Sequence, residues 1–215
     1  MVFAVQLLER VVAFRHPYYG AFALSLLVQA YRNLGKADLE MHTVKRVTEL
    51  PDDQKVLLDP RWAASCYEKV GDIRRAKQVL VAAISLAPDD PDSIAALTEI
   101  CLFDGSIDEA LAHAQKLERR PEPKYQVLGK IMKAFALAYL GKHGESHAEL
   151  LWVGQYLVSV GGIPADTWDY RDLEPLLSRM GPNARVAKMI LDALSKRMSA
   201  SDFAREWGAA SAAVP

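Results

Sequence analysis

The chain is short of cysteine: its 215 residues include only Cys66 and Cys101, both inside apolar helical stretches. Two such residues make no disulfide framework, and they read as buried free thiols in a reducing compartment. Surplus charge is also missing, since 26 Lys and Arg stand against 27 Asp and Glu for a net charge of −1. Phosphate backbones call for a concentrated positive field, so nucleic acid is excluded as the default partner. The densest basic run is Lys116, Arg119, Arg120, Lys124, Lys130 and Lys133, diluted by Glu118 and Glu122, and it reads as a solvated face. No stretch approaches the roughly 18 uncharged apolar residues of a membrane-spanning helix. The opening "MVFAVQLLERVVAFRH" reaches Glu9 and Arg10 without a basic leader region or a cleavage site, so it does not read as a secretory signal. These absences lead to the expectation of a cytoplasmic protein with no membrane partner. Strand patterns and glycine-rich phosphate loops are absent too.

What the chain does have is apolar content, 51% against 25% charged, enough for a sizeable core in one domain or a small pair. It also has a period. Gly35, Gly71, Gly105 and Gly141 stand 36, 34 and 36 residues apart, each between two helical patterns. Tyr31, Tyr67, Cys101 and Leu137 come four residues before these glycines. The slender Val28, Ala64, Thr98 and Ala134 come seven before. In the second helix of each pair, Val44, Leu80, Ala114 and Leu150 align, followed three residues later by Val47, Ala83, Leu117 and Val153. That spacing aims one stripe at a partner helix. Glycine suits the turn because it tolerates positive φ, and Pro51, Pro88 and Pro121 stop the hairpins. Asp59-Pro60 and Asp90-Pro91 read as capped helix starts, and Ser106 with Glu109 as a capping box. Ser199 with Asp202 repeats that signature near the end, where Ser201 competes as the cap.

The spacing of Tyr67, Gly71, Ala76, Leu80, Ala83 and Pro88 resembles the tetratricopeptide repeat family, and the resemblance extends over about residues 20–160. The chain departs from the family pattern at Glu40 and Ser146, where alanine is preferred, and at Lys130 and Lys133, where large apolar residues are usual. The resemblance implies an all-α fold, a right-handed α-solenoid of helical hairpins. Residues 3–16 read as an N-terminal capping helix. Residues 166–180 and 184–197 read as a degenerate fifth hairpin around Gly181, and "SDFAREW" as a C-terminal capping helix followed by a frayed end. Residues 1–160 and 161–215 are thus two parts of the same solenoid.

In such a fold the first helices line a concave groove. The repeat register places Gln29, Arg32, Asn33, Arg61, Glu68, Lys69, Glu99, Phe103, Phe135 and Tyr139 there as candidate partner-binding residues. One end of the groove is polar and the other apolar. The fourth first-helix, with Leu128, Ile131, Phe135 and Tyr139 in one stripe, is apolar nearly all round. It needs cover from the C-terminal helices or from a partner. Family members that grip chaperone tails carry lysine, asparagine and arginine at positions held here by Ser25, Gln29, Trp62, Asp92 and Ala96. That clamp is absent.

Candidate chemistry is sparse. His143 and His147 share a helix face near Glu149, but Gly144 stands where a zinc-protease glutamate belongs, so no metal site is assigned. His16, His42 and His113 stand singly, without a Ser or Cys partner at a recognisable spacing. Asp166, Asp169, Asp172 and Glu174 around Trp168 read as acids favoured in the first turn of a helix rather than a sugar-cleaving pair. The sequence therefore leads to a non-catalytic protein-interaction module with no cofactor, binding a protein or peptide in its groove. The alternatives are a self-assembling scaffold, hence a homo-oligomer, and an enzyme accessory subunit with a site in the C-terminal region.

Overall fold

The computed structural model describes residues 2–14, 16–55, 58–161 and 168–211, and every regular element among them is helical. The chain divides into two compact units, residues 1–96 and 97–215. The first holds α1 (Val2–Ala13), α2 (Pro17–Asn33), α3 (Ala37–Thr48), the single turn α4 (Asp52–Lys55), α5 (Pro60–Lys69) and α6 (Ile73–Leu86). The division falls inside α7 (Pro91–Asp104). The second unit continues with α8 (Ile107–Glu118), α9 (Pro123–Tyr139) and α10 (His143–Ser159). A 3-10 helix (Tyr170–Arg179), a 3-10 turn (Gly181–Asn183), α11 (Ala184–Leu194) and α12 (Ala200–Ser211) complete it. No helix among the described residues is long and apolar enough to cross a membrane.

Helices pack as sequence neighbours: α1 on α2, α2 on α3 and α5 on α6 in the first unit, and α8 on α9 and α9 on α10 in the second. The turns explain why. Gly35, Gly71, Gly105 and Gly141 have φ of 64°, 81°, 81° and 75°. At three of them the closure is the same. The amide after the glycine donates to the carbonyl five residues back, Lys36 to Tyr31, Asp72 to Tyr67 and Lys142 to Leu137, each at 2.9 Å. The glycine amide itself donates three residues back, to Arg32, Glu68 and Ala138. This double closure satisfies helix-end carbonyls and requires a left-handed residue at the glycine.

The periodic apolar positions form the core. Tyr31, Tyr67, Cys101 and Leu137 are buried, as are Val28, Ala64, Thr98 and Ala134. Val44, Leu80, Ala114 and Leu150 are fully enclosed, and so are Val47, Leu117 and Val153; Ala83 alone of this set stays half-open. In the first unit Val44 and Val47 of α3 pack with Leu24 and Val28 of α2 and Cys66 of α5. Two helix-interior glycines set close approaches in the second unit. A Cβ at Gly129 would lie 2.6 Å from the Glu118 amide and 2.8 Å from the Ala114 carbonyl, so α9 lies backbone-close to α8. A Cβ at Gly154 would fall inside the Trp207 ring, so α12 seats its indole on α10.

Caps follow the sequence in part. Asp59 accepts from the Arg61 and Trp62 amides, Asp90 from that of Ser93 at 3.0 Å, and Ser199 from that of Asp202 at 3.1 Å. Ser106, by contrast, makes no side-chain cap bond at α8. Glu109, its expected capping-box partner, accepts from the Cys101 thiol at 3.6 Å. The first arm of the expected fifth hairpin is the 3-10 helix Tyr170–Arg179, not an α-helix, with Pro175 inside it. A proline ring clashes with the carbonyl four residues back and has no amide to donate, which breaks an α-helical ladder there. Leu173 of this arm and Ile190 and Leu194 of α11 are buried, whereas Leu177 is half-buried. The closing helix is longer than expected, since Gly208–Ser211 continue it. Asp166 and Pro164 lie outside the described residues.

Candidate interaction surface

In the first unit, candidate residues from two hairpins meet at one acid. Glu40, in the second helix of its pair, lies half-buried at the position that Ala76 and Ala110 hold in the next two repeats. Its Oε1 accepts from Arg32 Nε at 3.0 Å and from Lys69 Nζ at 3.2 Å. Burial pushes the Glu40 carboxyl up, but the bonds and charges of Arg32 and Lys69 outweigh it and hold it below the usual glutamate value. Arg32 and Lys69 are therefore fixed in place rather than waving in solvent. Gln29 and Asn33 are exposed beside them, the Gln29 amide donating to Asn33 Oδ1 at 3.0 Å. Arg61 is held from two sides, by Asp59 at 2.6 Å and by Asp92 at 2.7 Å. The Asp59 bond is the main reason that the Arg61 guanidinium is held more firmly protonated than usual. Glu68 is half-buried one residue before Lys69.

The cysteine beneath this face is not set up as a nucleophile. Cys66 is buried, and burial pushes its thiol up to about 12 although Lys69 and Arg32 pull the other way. A thiol held protonated in the core is inert. What the arrangement offers is charged groups held by ion pairs, with two exposed amide side chains beside them.

The second unit treats its candidates differently. Glu99 and Phe135 are buried, Phe103 is half-buried, and Tyr139 is 41% exposed with the Arg179 guanidinium 5.2 Å from its ring centre. Leu128 and Ile131 are enclosed along with Phe135. Three of the four stripe residues are thus enclosed, and α8, α10 and the 3-10 helix pack on α9. Phe203 and Trp207 are buried, and α12 carries them onto α10 and α11.

Sequence reasoning missed one arrangement altogether. Lys130 and Lys133, expected on a solvated face, have side chains only 14% and 20% exposed. Lys130 bonds Glu118 at 2.6 Å and Glu149 at 2.8 Å, and Lys133 bonds the same two acids at 3.1 and 2.6 Å. The quartet ties α8, α9 and α10 together, and Lys130 also lies 4.8 Å from the Trp152 ring centre. Its signal was available: two lysines three apart in an otherwise apolar helix share the buried face and require partners.

The remaining candidates separate. His143, the first residue of α10, lies against Gly181, and its carbonyl accepts from buried Asn183 Nδ2 at 2.8 Å. The contact is structural, a staple between α10 and the 3-10 turn. Asp169 is occupied by Arg171 at 2.6 Å, and Glu174 pairs with Arg197. Among the described residues no three His, Cys, Asp or Glu groups come together as a metal-ion set would. No protein-family model matches the chain, and comparison with curated proteins finds no match.

Proposed function

We propose that the chain is a non-catalytic protein-interaction module, an adaptor, scaffold or assembly chaperone of tetratricopeptide-like build. In this reading its hairpins stack as a right-handed solenoid in the cytoplasm, and the first helices bind an extended peptide or a helix. The observation that carries the reading is the repeated turn. Because Gly35 and Gly71 close alike, Arg32 and Asn33 of α2 take the same helical positions as Glu68 and Lys69 of α5. Equivalent positions on successive hairpins form the kind of ladder a peptide can follow residue by residue. Fold alone does not license this, so the test is direct. The protein, used as bait in its host's lysate, should retain a partner that Gln29→Lys with Asn33→Lys releases and that Arg74→Glu, on exposed α6 surface, leaves bound. A partner lost equally with Arg74→Glu would overturn the reading.

A second reading, self-assembly, is favoured by one observation. Phe3, Leu7 and Phe14 of the α1 segment and Tyr18, Tyr19 and Phe22 of α2 are all more than half exposed. Monomers seldom carry so many large apolar groups in the open. Light scattering of the purified chain separates the two: a concentration-independent monomer mass removes the scaffold reading.

A further inference from the structure

The first unit contains a cavity of about 520 Å³ apart from the proposed interaction surface. That is within the roughly 300–1,000 Å³ of small-molecule sites. Its walls include Leu58 and Ala63 on the α5 side and Val79, Ala83 and Leu86 along α6. Ala83 is half-open where its repeat counterparts Val47, Leu117 and Val153 are buried, and Leu86 is 90% exposed. Here the hairpin stripe runs on past the protein that covers it.

Two cations border the same cavity. Lys55 Nζ lies 5.8 Å and the Arg75 guanidinium 5.9 Å from the centre of the Tyr67 ring, and all three residues line the space. Among the described residues each cation has one acid contact, and a long one, Lys55 to Asp52 at 3.4 Å and Arg75 to Asp72 at 3.5 Å. Asp52 is almost fully exposed, and such pairs contribute little, so an incoming anion can compete for both cations. Asp52 is the lone carboxylate among the described lining residues.

We propose that this cavity binds an amphipathic monocarboxylate, its apolar chain along Val79, Ala83 and Leu86 and its carboxylate between Lys55 and Arg75. An apolar chain alone would leave the two cations unused, and a cationic amphiphile would meet them as like charges. The full chain is titrated by calorimetry with decanoate and with decyltrimethylammonium, both below micelle formation, and amide chemical shifts are mapped. Decanoate should saturate one site with shifts confined to residues 52–86, and the cation should bind at least about tenfold more weakly. Lys55→Gln with Arg75→Gln should weaken decanoate by about tenfold or more without weakening the cation. Ala83→Phe should block both; if that variant does not fold, the selectivity of the unmodified protein decides. Unsaturable decanoate uptake, equal affinity for the two amphiphiles, or shifts elsewhere in the chain overturns the proposal. So does capture at this cavity of a peptide with a free C-terminal carboxylate when decanoate does not bind.

Discussion

Gly71 is held at φ 81°, where a β-branched side chain is strained. Gly71→Val should cost about 1–3 kcal/mol, read as a lower urea midpoint at unchanged slope. The converse test lies at Lys196, whose φ is 59°. There the Lys196 amide donates to Ala193 and the Arg197 amide to Asp192, the same double closure without the glycine. Lys196→Gly should raise stability by about 1 kcal/mol by removing the left-handed penalty. Such turn glycines are legible in a sequence because the backbone conformation itself demands them. Gly129 and Gly154 were not, because a glycine inside a helical pattern announces only a local cost, and the backbone or indole that uses the space is distant in sequence. Arg32 and Lys69 show the same limit. Their positions were readable, but their shared attachment to Glu40 was not, so replacing both by glutamate would gather three carboxylates and lower stability as well as binding.

At the scale of elements, the quartet across α8, α9 and α10 should make the second unit sensitive to pH at both extremes. Burial works to raise Glu118, yet Lys130 and Lys133 hold it below its usual value. Its stabilising contribution is present above the ordinary glutamate pKa and is lost as pH falls through the lowered folded value. Burial likewise works to lower Lys130 and Lys133, but Glu118 and Glu149 outweigh it and raise both. Their contribution is complete below the ordinary lysine pKa and is lost as pH rises through the raised folded value. Thermal melts should therefore hold level between, falling in acid below about pH 4.5 and in base above about pH 10.5. Lys130→Met alone should destabilise by about 1–3 kcal/mol by leaving two half-buried acids to share Lys133 alone, whereas replacing all four members by apolar residues should be nearly neutral. The closing helix gives a second element-level test. Deleting residues 199–215 removes Phe203 and Trp207 and uncovers Gly154, so the truncated chain should bind more apolar dye and melt lower. An equally stable, dye-silent truncation would contradict the docking. That helix was legible in the sequence as a closing segment. Its seat on α10 was not, because periodicity fixes which face is buried and leaves open what buries it.

For the molecule as a whole, the all-helical class and the pairing of neighbours followed from four glycines in phase and the stripes around them. Those stripes proved to be the core at nearly every repeated position. The exceptions carry information. Ala83 is open beside the cavity in the first unit, and Pro175 turns the expected fifth hairpin into a 3-10 arm in the second. Of the ten groove candidates, Glu99 and Phe135 are enclosed, so contact with a partner falls to the others, above all Gln29 and Asn33. The central claim, that the first-helix face is where a partner binds, is tested most directly by photo-cross-linking in the native host. A photoreactive residue is placed at Gln29 or Asn33, and for comparison at His42 or Arg74 on exposed second-helix surface. The account predicts that Gln29 and Asn33 both label one and the same protein, and that His42 and Arg74 do not. Labelling from His42 or Arg74 with none from Gln29 and Asn33 would contradict it.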